Sequence, residues 1–143
     1  MRLCTDPWTL DPAALANPFQ HLCNRCVQEH HEEYAEEDAE EGGCMWSVDT
    51  LKQYLSAHYP APPGSDGPAD GDALWQRIWT QIRQISLYVM HSVQELVDNR
   101  AGCFEWFGLD FMVDRDLHVW NLECNISPDL SRGTEVLERL VPA

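Results

Sequence analysis

Residues 104–130 read FEWFGLDFMVDRDLHVWNLECNISPDL, and this stretch decides the fold because it predicts a β-hairpin. Its two arms, residues 104–114 and 117–125, are rich in aromatic and branched side chains, as strands usually are. The turn-forming sequence Asp-Arg-Asp at 114–116 separates the arms. We therefore expect two antiparallel strands joined by a short loop.

One face of this hairpin gathers polar side chains. Because side chains alternate along a strand, Asn121, Glu123 and Asn125 should share one face of the second arm. If a four-residue loop closes the hairpin, Asp110 stands opposite Glu123, and Gly108 stands opposite Asn125. Two adjacent carboxylates repel each other unless a cation or an acid–base task holds them together, and an open set of oxygen ligands suits Mg²⁺. The pattern predicts either a magnesium site or the exposed polar face of an ordinary hairpin.

The opposite face of the hairpin is apolar, and we expect it to be buried. It carries Phe107, Leu109, Phe111, Val113, Trp120, Leu122 and Cys124. A long helix over residues 73–98, capped by Asp72, should cover it with an apolar stripe at steps of three and four. The stripe comprises Leu74, Ile78, Ile82, Ile85, Val89, Val93 and Leu96. Further helices are predicted after Ser47 and from Ser127 and Pro128, so the fold class is α+β.

Composition and charge exclude several classes of protein. The 143-residue chain is about the length of one domain, and its 44% hydrophobic content argues against wholesale disorder. A net charge of −15 argues against nucleic acid as a partner, because phosphate binding needs a basic face. Residues 1–10 lack the apolar run of a signal peptide, and no stretch approaches the ~20 apolar residues of a membrane span. The six cysteines are therefore expected to be reduced, as in the cytosol.

A competing motif lies near the N-terminus. Cys23, Cys26 and His30 have the ligand types and spacing of half a zinc site, and His31 and Cys44 follow them. No second tight pair of ligands accompanies this half-site. Zinc is therefore the less favoured interpretation, under which the chain would be a zinc-stapled interaction module.

The hairpin sequence resembles the signature of the tubulin tyrosine ligase-like family. Residues 108–128, GLDFMVDRDLHVWNLECNISP, are similar to its pattern F-G-x-D-F-(M/V)-(V/L)-D…(V/P)-W-L-(I/L)-E-(V/I)-N-x-S-P. His-Leu-Cys-Asn at 21–24 looks like the family's H-L-(T/C)-N motif, and residues 45–55 resemble its M-W…(F/L)-x-x-Y-L segment. The matches follow the family's order and span nearly the whole chain. The resemblance implies that residues 1–143 are a partial ATP-grasp domain, its C-terminal lobe, with the N-terminal portion missing.

The same resemblance implies a set of cofactors and site residues. ATP and Mg²⁺ are the implied cofactors. By the family's motifs, Asp110, Glu123 and Asn125 would hold the metal, while Cys23 and Asn24 would contact the nucleotide. No further catalytic residue of this chain is identified by the resemblance.

The implied activity is ATP-dependent ligation of a free amino acid to a protein tail through an acyl phosphate. The implied protein substrate is tubulin, or another acidic-tailed protein, at cytoplasmic microtubules or in the cilium. The H-L-C-N motif resembles the glycine-adding group, and glutamate or tyrosine ligation stays open as an alternative within the family. A non-catalytic remnant that binds a partner is the alternative from another class. This chain alone is expected to be inactive, because the family's upstream nucleotide-clamping residues are not part of it.

Overall fold

The computed structural model describes most of the chain, namely residues 1–34, 43–61, 63–64, 67–98 and 100–128. Its helices and strands are α1 (Arg25–Gln28), α2 (Val48–His58), α3 (Gly71–Val93), β1 (Gly108–Val113) and β2 (Val119–Asn125). Short 3₁₀ turns are formed by Pro12–Ala14, Pro18–Gln20 and Gln94–Leu96. The chain divides into two compact units, Met1–Tyr54 and Leu55–Ala143. The body of the helix predicted from Ser127 and Pro128 lies outside the described residues.

The first unit contains little regular structure and is organised around one buried amide, that of Gln28. Its Oε1 atom accepts a hydrogen bond from the Thr5 N–H at 2.8 Å. Its Nε2 atom donates to the carbonyls of Leu22, at 2.6 Å, and of Phe19, at 3.3 Å. The amide therefore ties α1 to the segments on either side of the 3₁₀ turn at 18–20. Such full pairing is what allows a polar side chain to be only 1% exposed.

Helix α2 begins where the sequence places its cap. The Ser47 hydroxyl accepts a hydrogen bond from the Thr50 N–H at 3.0 Å, so the predicted N-cap is confirmed. Leu51 and Leu55 are buried, one turn apart on the same face of the helix. No helix among the described residues combines the length and the apolar character that crossing a membrane requires.

Helix α3 is shifted and shorter than the sequence predicts. Its N-cap is Asp70, whose carboxylate accepts hydrogen bonds from the N–H groups of Asp72 and Ala73, so the prediction that Asp72 is the cap was wrong. The helix ends at Val93, where a 3₁₀ turn tightens the chain. Of the predicted stripe, Ile78 is fully buried and the last member, Leu96, is 84% exposed. Ile78 is therefore the only member of the stripe in the fully buried core, while Val93 and Leu96 are exposed.

Hydrogen bonds join α3 to the end of the hairpin loop. The Gln81 side chain donates from Nε2 to the Leu117 carbonyl at 2.8 Å and accepts at Oε1 from the Val119 N–H at 3.2 Å. Arg77 donates to the Asp116 carbonyl one turn earlier. Leu117 and Val119 are both almost completely buried. The predicted α+β arrangement, with an antiparallel hairpin against a helix, is confirmed, while its assignment to an ATP-grasp lobe stays a prediction.

The prediction that the apolar face of the hairpin is wholly buried was wrong for the second strand. On β1, the predicted inward residues Leu109, Phe111 and Val113 are half-buried. On β2, Trp120, Leu122 and Cys124 are exposed. A β-bulge in this strand, described below, accounts for Trp120 by turning it to the opposite face.

Candidate metal-binding face of the hairpin

The register of the hairpin places the predicted metal ligands side by side. Strands β1 and β2 pair so that Asp110 lies opposite Glu123 and Gly108 lies opposite Asn125. Both pairings were predicted from the alternation of side chains, and both are confirmed. Since residues directly opposite each other in an antiparallel ladder point to the same face, the two carboxylates are neighbours.

The side chain of Asn125 connects the two carboxylates. Its Nδ2 atom donates to Glu123 Oε1 at 3.2 Å and lies 3.5 Å from Asp110 Oδ2, a long contact. All three side chains are exposed to solvent. The polar N–H group therefore occupies the position between two negative charges at which a cation would be stabilised.

The chemistry of these donors fits a magnesium ion. Two carboxylates and one amide oxygen are hard oxygen ligands, and an exposed, incomplete set leaves positions for water and for substrate phosphates. The face is not a closed cage, because its three ligands are exposed on one side of the hairpin. Only two of them, Asp110 and Glu123, are acidic, and the described residues contain no group of three or more His, Cys, Asp or Glu side chains that could hold a metal ion. Metal binding by this face stays a prediction.

Gly108 provides the close approach that this face requires. A Cβ atom at this position would lie 3.0 Å from the Cβ of Pro128 and 3.9 Å from the Cβ of Asn125. The first distance is too short for unstrained carbon atoms, so Pro128 would have to move. The absence of a side chain at Gly108 thus lets the chain that follows β2 pack against β1 beside Asn125.

A β-bulge changes the other members of the face from those predicted. The ladder pairs Val113 with Val119, so the loop comprises residues 114–118 rather than the predicted four. The register then shifts between Asp110 and Phe111, with Leu122 as the extra residue of β2. The longer loop and the bulge compensate for each other, which is why Glu123 still reaches the position opposite Asp110.

The bulge exchanges the faces of two residues of β2. Trp120 pairs with Met112 and so lies on the face of Asp110, whereas the sequence predicted it on the apolar face. Asn121 pairs with Phe111 and does not share the face of Glu123 as predicted. A shift of one residue reverses which side each side chain takes, and no local feature of the sequence announces the extra residue.

The loop of the hairpin is fixed by one carboxylate, that of Asp114. Its Oδ1 atom accepts hydrogen bonds from the N–H groups of Asp116 and His118, each at 2.9 Å, and its Oδ2 atom accepts from the Trp120 indole at 3.0 Å. The Trp120 hydrogen bond, with the backbone bonds adding to it, lowers the pKa of Asp114 below its ordinary value. These contacts accommodate Leu117, whose φ of 60° is unusual for a side chain of that size.

The residues predicted to contact the nucleotide lie in the first unit. Cys23 and Asn24 are exposed and precede α1, whose first residue is Arg25. The Asn24 carbonyl accepts hydrogen bonds from the N–H groups of Val27 and Gln28, while its side chain makes no capping bond. Cys23 also borders a cavity of about 10 Å³, which has room for about one water and not for a nucleotide. Contact with a nucleotide therefore stays a prediction, and it would have to be made on the exposed surface around Cys23 and Asn24 rather than in this cavity.

The zinc alternative gains no support from the geometry. Cys23, Cys26 and His30 all fall within the described residues, and they belong to no group of metal-binding side chains there.

Comparison with known proteins agrees with the family resemblance seen in the sequence. The sequence model of the Tubulin-tyrosine ligase family matches residues 1–143. The chain is 31% identical to the tubulin monoglycylase TTLL3 of Danio rerio, over 100% of the chain and 17% of that protein. It is 30% identical to the probable alpha-tubulin polyglutamylase Ttll1 of Tetrahymena thermophila, over 91% of the chain and 28% of that protein. The tubulin monoglutamylase TTLL4 of Mus musculus is 32% identical over 82% of the chain and 10% of its own length. The chain thus spans less than a third of the length of these relatives.

Proposed function

Because this chain belongs to the tubulin-tyrosine ligase family, we propose that the complete protein is an ATP-dependent ligase that joins an amino acid to tubulin. The observation that carries the proposal is the convergence of Asp110, Glu123 and Asn125 on one face of the hairpin. The names of its relatives, which are tubulin glycylases and glutamylases, support a tubulin-modifying ligase. Since the chain spans only part of these relatives, the activity is proposed for the complete protein.

The proposed chemistry is the formation of an amide from a carboxylate and an amine. A tubulin-tail carboxylate takes the γ-phosphoryl group of ATP and releases ADP. The amino group of the incoming amino acid then attacks the acyl carbon and displaces phosphate. Such a sequence needs a place where negative charge on the phosphates is balanced, and the candidate metal-binding face is suited to that task.

In this proposal Asp110 and Glu123 supply the negative charge that retains Mg²⁺, and Asn125 supplies a neutral oxygen. When bound, Mg²⁺ would offset the negative charge of the nucleotide phosphates and of the transferred group. The hairpin positions the two carboxylates, because its ladder holds Asp110 and Glu123 opposite each other. Gly108 contributes space beside Asn125.

Cys23 and Asn24 are proposed to contact the nucleotide. Their support is the match of their motif to the family pattern, together with their exposure at the start of α1. The Gln28 amide holds the Leu22 carbonyl directly before them. This contact fixes the backbone that would face the nucleotide.

Glycine is the amino acid that we propose. The support is the H-L-C-N motif at residues 21–24, which resembles the motif of the glycine-adding group at its third position, Cys23. The glycylases are 30–32% identical to this chain and the glutamylases 26–32%, so the ranges overlap and the comparisons do not distinguish the two activities. Glutamate and tyrosine are the competing choices, and a pocket too small for a side chain would have to exclude them.

The proposed partners are tubulin and a free amino acid, and the proposed location is the cytoplasmic microtubule or the cilium. The charge of this chain constrains where tubulin would bind. With 24 acidic and nine basic residues, it offers little attraction for an acidic tail. The basic surface that receives the tail is therefore expected mostly in other parts of the complete protein.

The experiment that tests the proposal offers the complete protein ATP, Mg²⁺, tubulin and, in separate reactions, glycine, glutamate or tyrosine. Mass spectrometry of the tubulin tails is expected to show increments of glycine. Increments of glutamate or tyrosine alone would refute the choice of glycine and leave the ligase activity intact. No increment with any amino acid would refute the ligase proposal.

Two matched variants connect the activity to the hairpin. Glu123→Gln keeps the shape of the side chain and removes its charge, so the tail increments should fall below detection. Glu95→Gln makes the same change at an exposed position of a 3₁₀ turn and should leave the increments unchanged. If the two variants were equally active, the ligase reaction would not depend on the metal-binding face.

A further inference from the structure

We propose that Asn121 is a positioning residue for the candidate metal-binding face, acting through the bulge that brings Glu123 opposite Asp110. The inference rests on the proposed function for the role of that face, although the positioning itself is a property of the hairpin. Asn121 lies on the opposite face of the sheet and would not touch the metal or the nucleotide phosphates.

The contacts of Asn121 single it out. Its Nδ2 atom donates to the backbone carbonyl of Asp110 at 3.1 Å and to the backbone carbonyl of Glu123 at 3.2 Å. An amide nitrogen carries two hydrogens and a carbonyl can only accept, so the orientation of the amide is determined by its partners. One side chain thus joins the backbones of the two residues whose carboxylates form the site.

The bulge explains why such a contact is needed. The extra residue, Leu122, interrupts the ladder between Asp110 and Phe111, and a bulge leaves local backbone groups without regular ladder partners. A slip of one residue at this point would turn Glu123 to the face away from Asp110. By holding a carbonyl on each strand, Asn121 favours the register in which both carboxylates point to the same side.

The first experiment measures the register without any metal. Asn121→Ala removes both donors and adds no charge. Cross-strand nuclear Overhauser contacts between the amide and Cα protons of Asp110 and Glu123 are expected to weaken or to split between two registers. Gln84→Ala, which removes an exposed amide of α3 that bonds only Tyr88 in the described contacts, should leave these contacts intact. An unchanged register in Asn121→Ala would overturn the proposal.

The second experiment measures the consequence for the site, with Mn²⁺ as the probe and electron paramagnetic resonance of the unbound ion as the readout. Asn121→Ala is expected to weaken Mn²⁺ binding by about fivefold or more, the low end of the effect of losing two ordinary hydrogen bonds. Gln81→Met, which destabilises the loop end of the hairpin and leaves the bulge alone, should weaken it less. Equal losses in the two variants would mean general destabilisation and would overturn the positioning role.

Deletion of Leu122 provides a further check, because it removes the extra residue and keeps the pairing of Asp110 with Glu123. In that background Asn121→Ala is expected to have no effect on register or on Mn²⁺ binding, and a full effect there would overturn the proposal. The outcomes also separate the two proposals. A register that depends on Asn121, in a chain whose Mn²⁺ binding does not depend on Glu123, would support positioning and refute the metal site.

Discussion

The side-chain nitrogen of Asn125 lies 3.2 Å from Glu123 Oε1, two residues earlier on the same strand. The same nitrogen approaches the carboxylate of Asp110 across the ladder. An amide coordinates a cation through its oxygen, so in the proposed metal site the Asn125 amide would have to turn and present its oxygen in place of this nitrogen.

The turn of Asn125 is our first prediction. On titration with Mg²⁺, the side-chain amide resonances of Asn125 should shift, because the N–H groups lose their carboxylate acceptors. Asn17 is a matched control, since its Nδ2 atom donates to Asp6 Oδ2 at 2.7 Å in the first unit. Its resonances should stay in place. Equal shifts of the two amides would indicate a general salt effect and contradict a specific site.

Our second prediction concerns the space beside this face. Gly108→Ala places a Cβ atom 3.0 Å from Pro128, and the strain should lower the free energy of unfolding by about 1–3 kcal/mol. Gly67→Ala is the control, because a Cβ atom there meets nothing within 4 Å. Urea unfolding of both variants provides the measurement. Similar stability of the two would show that Pro128 yields easily, and Gly108 would then have no packing role.

The pairing within the hairpin could be predicted from the sequence, whereas the bulge could not. Alternation along both strands pairs Asp110 with Glu123 if the loop has four residues, as the sequence predicts. With the longer loop that exists, the same pairing depends on the extra residue of the bulge, Leu122. The faces of Trp120 and Asn121 depend on the register shift at the bulge, which no local feature of the sequence announces. The bond between the Gln81 amide and Val119 was also not predicted, because a contact between distant residues leaves no periodic signal in the sequence.

The buried amide of Gln28 escaped prediction for a related reason. Glutamine is usually an exposed residue, and its position at the end of a four-residue helix gives no pattern. Its importance comes from three backbone partners contributed by separate segments. The cap of α3 was misplaced by two residues because Asp70 and Asp72 are equally good caps by composition, and only the backbone conformation distinguishes them.

Our third prediction is a pH dependence of the hairpin loop. The Trp120 indole and two backbone N–H groups lower the pKa of Asp114 in the folded chain below that of an unfolded aspartate. The ionised carboxylate therefore stabilises the folded loop above about pH 4, the ordinary value. This contribution is lost as the pH falls through the lower folded pKa. The Trp120 indole N–H resonance should report the titration.

Matched variants test this prediction. Asp114→Asn keeps an oxygen acceptor and abolishes the titration, so the Trp120 resonance should become independent of pH below 4. Asp116→Asn changes an exposed neighbour in the loop and should leave the titration in place. A Trp120 resonance that titrates in the ordinary range of an aspartate, near pH 4, would contradict the lowered pKa.

Our last prediction concerns Gln81, which attaches the hairpin to α3. Gln81→Met keeps the length of the side chain and removes the bonds to the Leu117 carbonyl and the Val119 N–H. Both backbone groups belong to almost completely buried residues, so leaving them unpaired should cost about 1–3 kcal/mol of unfolding free energy. Gln76→Met, at an exposed position of the same helix, should change the stability by less than about 0.5 kcal/mol. Hydrogen exchange gives the residue-level readout, because the Val119 amide should exchange faster in Gln81→Met while amides in the middle of α3 keep their protection. If protection were lost equally along α3, the variant would have unfolded the unit as a whole, and the Gln81 contacts would not be a local attachment.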